Sequence, residues 1–417
     1  MWRRRDRSFR KILESASGLV EYRLFRRILS NRLINYVILL KIKRMKTSRR
    51  TFLKNVAGAS GLLLLSANGV VRADCLEGSF IDKLLPAPKG GGFAMKDYWI
   101  WDPSVIKGED GRYHMFASRW SKKYGFGNWV TNSEVVRAIS DTPEGPYEFV
   151  EVVLPARGKK YFDGCTTHNP RIVKNGDFYV LYYFGNNYEE PNPPFTENVW
   201  ESGLGQKAWM HKRIGMAYSR TIAGPWKRVD QPILNPRKGE WDASITSNPS
   251  PVVLPNGKVY LLYKSSPVNY NPPLLLGAAQ ADSFLGPYRR LSDKPIFSFH
   301  TDQNHENDVE DPFVWYNGQQ FELIMKDRYG KICGEEGGGI HAYSKDGIDW
   351  HLSKSVKAYS KTIQWDDGTT SHQANFERPF LLFENGKPTH LFAATGDGSE
   401  PYQFERTWNM VIPLKSI

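Results

Sequence analysis

The sequence predicts an all-β fold, a five-bladed β-propeller with four-stranded antiparallel blades, from three observations. One unit recurs five times: a residue before Pro, an apolar alternating strand, an Asn-Gly or Asp-Gly turn, and an aromatic-rich second strand. A second strand pair follows the first four copies. No long helical periodicity separates the units, which argues against an α/β arrangement.

The copies begin at Asp102-Pro103, Asn169-Pro170, Asn248-Pro249, Asp311-Pro312 and Arg378-Pro379, so the prolines are 67, 79, 63 and 67 residues apart. Their turns are Asp110-Gly111, Asn175-Gly176, Asn256-Gly257, Asn317-Gly318 and Asn385-Gly386. Such pairs between alternating apolar runs predict type I′ hairpins, which need positive φ at both central residues. The second pairs open at Val135–Ser140, Gly215–Ser219, Gly277–Ala281 and Ile340–Ser344, the first three leading to Gly-Pro-Tyr or Gly-Pro-Trp. Four strands in each of five units make blades around an axis. Trp408–Leu414, or the segment near Phe93–Trp99, is expected to close the ring.

Charge separates the chain into two parts. Its 417 residues carry 56 Lys+Arg and 44 Asp+Glu, a net of +12 that would suggest a polyanionic partner. Residues 1–73 hold 18 of those cations and 3 of the acids, a net of +15; residues 74–417 carry −3. Ser48-Arg49-Arg50-Thr51-Phe52-Leu53-Lys54 reads as a twin-arginine export motif, followed by the uncharged run Asn55–Val71 and a cleavage site at Val71-Arg72-Ala73. That run is short and weakly apolar for a membrane span, so no stable membrane anchor is expected. Met45 stands where such a signal starts, and residues 1–44 resemble no export element. We therefore expect translation to begin at Met45 and the mature domain, 74–417, to be periplasmic or secreted. With the basic charge confined to the leader, nucleic acid is excluded as a partner. Cys75, Cys165 and Cys333 have no zinc-ligand spacing, and Cys75 makes a poor lipobox.

In a propeller, equivalent repeat positions converge on one funnel. Those at and before each Pro are Trp101-Asp102, His168-Asn169, Ser247-Asn248, Glu310-Asp311 and Glu377-Arg378, a polar ring rich in carboxylates. Second strands returning to the same mouth carry Arg119, Lys264 and Lys326. Acids beside aromatic rings suit a sugar: carboxyls handle the glycosidic oxygen and water, while rings stack on C–H faces. Three converging cations suggest an anionic substituent, such as a uronate or sulfate. Each feature also has a plainer reading. An Asp before Pro can simply cap a turn, Glu310 can pair with Lys326, and His305-Glu306 can be a loop face.

Trp101-Asp102-Pro103-Ser104-Val105, Thr167-His168-Asn169-Pro170, Val309-Glu310-Asp311-Pro312-Phe313 and Phe376-Glu377-Arg378-Pro379-Phe380 resemble motifs of five-bladed propeller glycoside hydrolases. The likeness is greatest to families 43 and 117 and spans roughly residues 94–415. Together with the export motif, it implies an exported glycoside hydrolase acting with inversion on plant or algal carbohydrate. Asp102 would be the base that activates water, and Glu310 the acid, kept protonated by neighbouring negative charge. Asp163 or Asp311 would raise or orient that acid. His168, Asn169, Arg119, Asn248, Lys264, Lys326, Glu377 and Trp101 would hold the sugar. The chain departs from family 43 at Ser247-Asn248, where the acid is expected, and from family 117 at Val309, where a His is expected. The resemblance requires no cofactor, although relatives can carry a Ca²⁺-like ion in the central channel. A propeller phosphorylase and a non-catalytic carbohydrate-binding propeller are the alternatives.

Overall fold

The computed structural model describes residues 79–188, 199–267, 273–297 and 309–415. The leader, Met45, the twin-arginine motif, Cys75 and His305-Glu306 lie outside the described residues. Those described belong to one unit beginning at Gly78.

Five four-stranded antiparallel sheets form the blades, as predicted. Blade 1 is β2 (Tyr98–Lys107), β3 (Tyr113–Ser121), β4 (Glu134–Ser140) and β5 (Glu148–Leu154). Blade 2 is β6 (Thr166–Asn175), β7 (Phe178–Asn186), β8 (Arg213–Ser219) and β9 (Lys227–Arg228). Blade 3 is β10 (Ser247–Val253), β11 (Val259–Ser265), β12 (Leu275–Ala281) and β13 (Arg289–Arg290). Blade 4 is β14 (Val309–Tyr316), β15 (Phe321–Asp327), β16 (Gly339–Ser344) and β17 (His351–Tyr359).

A short hairpin, β18 (Thr362–Gln364) with β19 (Thr370–His372), precedes blade 5. That blade is β20 (Glu377–Glu384), β21 (Lys387–Gly396), β22 (Thr407–Pro413) and, outermost, β1 (Phe93–Ala94) from the other end of the chain. Both candidate closing segments are therefore used, and Phe93 pairs with Asn409. Apolar side chains fill the contacts between neighbouring blades; Phe116, Val135, Ile172, Leu181 and Ala217 join blades 1 and 2, for example.

The turns depart from the predicted type. Of the five Asn-Gly or Asp-Gly pairs, only Asn385-Gly386 has positive φ at both residues. In the other four the Gly alone is left-handed. At Asn175 the reason is register: this residue still pairs with Phe178, so the two-residue loop is Gly176-Asp177.

The innermost strand of every blade breaks register at the same repeat position. The shifts fall between Trp101 and Ser104, His168 and Arg171, Ser247 and Ser250, Glu310 and Phe313, and Glu377 and Phe380. The residue before Pro takes φ between 48° and 59° in all five: Asp102, Asn169, Asn248, Asp311 and Arg378. Asp and Asn enter the left-handed region at modest cost; Arg does so only where its surroundings hold it. A bulge re-aims the side chain it carries, and here the five re-aimed groups make contact around the axis.

Candidate active site

The left-handed residues form most of a closed ring. Asn169 donates from Nδ2 to Asp102 Oδ1 at 3.2 Å and from its backbone N–H to Asp102 Oδ2 at 3.2 Å. Asn248 donates from Nδ2 to Asp311 Oδ1 at 2.6 Å. Arg378 pairs with Asp311 through Nη1 and with Asp102 through Nε at 3.0 Å.

Asp102 is fully buried. Ser118 Oγ (2.6 Å) and His168 Nε2 (2.9 Å) add to the Asn169 and Arg378 contacts, so five contacts crowd its two oxygens, which are shut off from solvent. Burial works to raise its pKa, but His168, Arg378 and Ser118 outweigh it and hold the carboxyl below the usual carboxylate range. Burial also keeps His168 below its ordinary pKa, and so neutral at pH 7. Its tautomer follows: Nε2–H donates to the Asp102 carboxylate, and Nδ1 accepts from Ser133 Oγ at 2.7 Å. Trp129 stacks on the imidazole, centroids 5.0 Å apart. The expected water-activating base is thus the anchor of the ring instead.

Glu310 is the more open carboxyl, its side chain 14% exposed. Lys264 Nζ touches Oε1; Lys326 Nζ and Arg328 Nε lie 3.8 and 3.9 Å from Oε2, and Arg378 Nη1 lies 4.0 Å from Oε1. Burial opposes ionisation of Glu310, yet Lys264, Lys326, Arg378 and Arg328 hold its pKa well below the usual value. The expected protonated acid is therefore a carboxylate, because its neighbours are cations. Glu377 stands at the same repeat position in the next blade. Its Oε1 contacts Lys326 Nζ and accepts from Tyr402 OH (2.8 Å) and Asn375 Nδ2 (3.0 Å).

Four further expectations are corrected. Asp163 lies in a structural clamp: Arg157 (2.8 Å), Arg228 (3.2 Å) and the Tyr183 hydroxyl (2.7 Å) take up its oxygens. Asp242 repeats this clamp one blade on, with Arg237, Arg290 and Tyr263. Asp311 is joined to Arg378 and Asn248 and is not placed to raise Glu310. Arg119 pairs with Glu134 at 2.9 Å and lies over the rings of Tyr98 and Phe149, the latter an exposed residue of outer strand β5, away from Lys264 and Lys326. Trp101 is buried against Phe126 and Phe404, so it is packing and not a platform.

His168, Asn169, Asn248, Lys264, Lys326 and Glu377 do converge with Asp102 and Glu310. Sequence reasoning missed Tyr402, Arg328 and Lys212. Tyr402 is half exposed, carries φ 64° and reaches Glu377 from the irregular loop after β21. No repeat position marks it. Lys212 is buried beside Trp209, Trp129 and Phe184, at 4.2, 5.7 and 5.4 Å, just after the short helix Leu204–Met210 that leads into β8 of blade 2. Burial, with Lys264 nearby, pushes its pKa well below the lysine value.

A Ca²⁺ ion does not fit the axis. Arg171 Nη1 and Nη2 donate to the carbonyls of Pro103 and Pro379, both at 3.1 Å, and Arg171 and Arg378 together balance the charge of Asp102 and Asp311. Burial pulls Arg171 down to about 9, which leaves it charged at neutral pH. The channel beyond is an apolar cavity of 280 Å³ whose lining includes Val105, Ile172, Val252, Val314 and Leu382. No group of three or more His, Cys, Asp or Glu able to hold a metal occurs among the described residues.

No protein-family description matches the sequence, and neither does any curated protein. Solved structures do. Zg3597, a family 117 glycoside hydrolase produced by the marine bacterium Zobellia galactanivorans, is 17% identical over 80% of this chain and 89% of its own, with a TM-score of 0.56. BT0996, solved in a complex with RGII, is 13% identical over 80% and 93%, with a TM-score of 0.55. A thermostable family-43 glycoside hydrolase is 14% identical over 77% and 94%, with a TM-score of 0.52. At these identities the likeness establishes the shared five-bladed propeller fold.

Proposed function

We propose that the chain is an exported glycoside hydrolase whose substrate carries an anionic group, with Glu310 and Glu377 as the reacting carboxyls. One observation carries this reading: the two acids occupy equivalent positions in adjacent blades, share Lys326, and stand beside a ring whose deeper acids, Asp102 and Asp311, are fully buried and tied to Arg378. The fold's occurrence in glycoside hydrolases, and in the complex of BT0996 with RGII, supports a carbohydrate substrate.

Glu310, ionised by its four cations, takes the proton from a water as that water attacks the anomeric carbon. Glu377, the second carboxyl at this repeat position, we assign to the leaving oxygen as general acid. Tyr402 and Asn375 hold its Oε1 in place. Asp102 acts through others, orienting Arg378 and His168. The lysines would bind the substituent: Lys264 is only 3% exposed as a side chain, and a charge so buried gains most from a partner of opposite sign.

A screen of plant and algal oligosaccharides, with the anomer of the first product followed by NMR, tests substrate class and stereochemistry together. Glu310→Gln and Glu377→Gln then separate the roles. Glu377→Gln should cut turnover by about 10²–10⁴-fold on natural glycosides but far less on aryl glycosides, whose leaving groups need no proton. Glu310→Gln should lose both. Equal losses on both substrates in the two variants would overturn the assignment. Turnover that requires inorganic phosphate would favour a phosphorylase, for which the same cations would hold the phosphate.

A further inference from the structure

We propose a second carbohydrate-binding site on the outer half of blade 5, separate from the ring and dependent on the reading of the chain as a glycosidase. A cavity of 680 Å³ lies away from the axis. It lies between the β18–β19 hairpin, the segment 88–92 and the start of β22. A volume of this order suits a mono- or disaccharide unit.

Two tryptophans line it, Trp365 from the hairpin and Trp408 from β22, both part-exposed. Each is held in place before any ligand arrives. Trp365 Nε1 donates to Ser371 Oγ at 2.7 Å, and the hairpin is fixed by the backbone pairing of Ala87 with Trp365. Arg406 lies over the Trp408 ring, 4.7 Å from its centroid. The rim is polar and charged, with His372, Asp397 and Arg406 exposed. Ordered indoles with hydrogen-bonding groups around them are what a sugar ring needs: apolar C–H faces against the rings, hydroxyls against the rim.

The loop that bounds this cavity also reaches the ring. Asp397 Oδ1 accepts the backbone N–H of Glu405 (3.0 Å) and Arg406 (2.9 Å), closing residues 397–406 into one loop. Its Tyr402 donates to Glu377. The cavity and the proposed acid are therefore served by opposite sides of a single loop. The site would hold a distal stretch of a long polysaccharide whose end is in the funnel.

Native affinity electrophoresis of the full chain in gels containing pectin, arabinan or carrageenan tests the site without turnover. We expect retardation in at least one polysaccharide, retained by Glu310→Gln. Trp365→Ala and Trp408→Ala should each weaken it tenfold or more, and Arg406→Ala less. Because Trp365 and Trp408 both also pack against the core, the melting temperature of each variant is measured, and the variant that keeps the wild-type melting temperature decides. In parallel, the tryptophan variants should raise KM on the polymer tenfold while leaving turnover of short glycosides unchanged. Retardation that survives Trp408→Ala, or its absence for the wild type in all three gels, overturns the proposal. Turnover of short glycosides with no tryptophan effect sinks this site and keeps the hydrolase reading. Tryptophan-dependent retardation without turnover of any glycoside does the reverse.

Discussion

Lys264 carries the clearest consequence at the scale of single residues. Burial pulls its pKa down to about 8, against the attraction of Glu310, so it changes charge just above neutrality. Below pH 8 it is an ammonium, the form that the proposed function needs to hold an anionic substituent; as pH rises through 8 it loses its proton and that attraction. The KM for an acidic glycoside should therefore climb above pH 8 while that for a neutral analogue stays flat. Lys264→Arg should move the rise to much higher pH, because a guanidinium does not titrate there. A flat KM profile for the wild type would sink the electrostatic role. Arg378 was visible in the repeat, but its function was not: no pattern of residue types says that a left-handed Arg will join Asp102, Asp311 and Glu310.

At the scale of strands, one residue of register decides which expectations held. Lys326 faces Glu310 in the ladder and Lys264 faces Ser247, so both belong to the repeat position two before Pro. In blade 1 that position faces Trp101 and is Ser118, not Arg119. Alternation along a strand then sends Ser118 to Asp102 and Arg119 to Glu134 on the other face. The blades, their order and the ring position were legible because turns and prolines mark them in the chain. The parity of a second strand has no such marker, since it depends on a bulge in its neighbour. Asp163 was misplaced for a related reason: its clamp repeats with Asp242, but only Arg157 and Arg237 stand near these acids in sequence, and the other partners, Arg228 with Tyr183 and Arg290 with Tyr263, come from other strands. The closing strand offers a stability test. A Cβ on Gly92 (φ 81°) would lie 1.9 Å from the Asn409 carbonyl oxygen, whereas one on Gly90 (φ 80°) meets nothing within 4 Å. Gly90→Ala should cost only the backbone strain, about 1–2 kcal/mol, and Gly92→Ala about 1–3 kcal/mol more. Urea denaturation of the two variants measures the difference, and equal values would show that β1 does not clamp blade 5.

For the whole molecule, the centre of the propeller is held by its own cations. Arg171 braces blades 1 and 5 through Pro103 and Pro379, and Arg378 ties the ring acids. Chelation should therefore leave both activity and melting temperature unchanged, and Arg171→Met should lower the melting temperature without creating a dependence on added Ca²⁺. Activity lost in EDTA and restored by Ca²⁺ would refute this. The net charge has the same lesson of location: the −3 of residues 74–417 says little, while Lys264, Lys326, Arg328 and Arg378 gather around Glu310.

The pairing of Phe93 with Asn409 also sets a schedule. The first strand to leave the ribosome is the last to find its partner, and at about 5–20 residues per second the wait is roughly 15 to 60 s. Four blades can mature during synthesis, but the seam stays open until the chain is complete. Through that interval β1, whose partner has yet to be made, is the unpaired strand most exposed to a stray strand from another molecule.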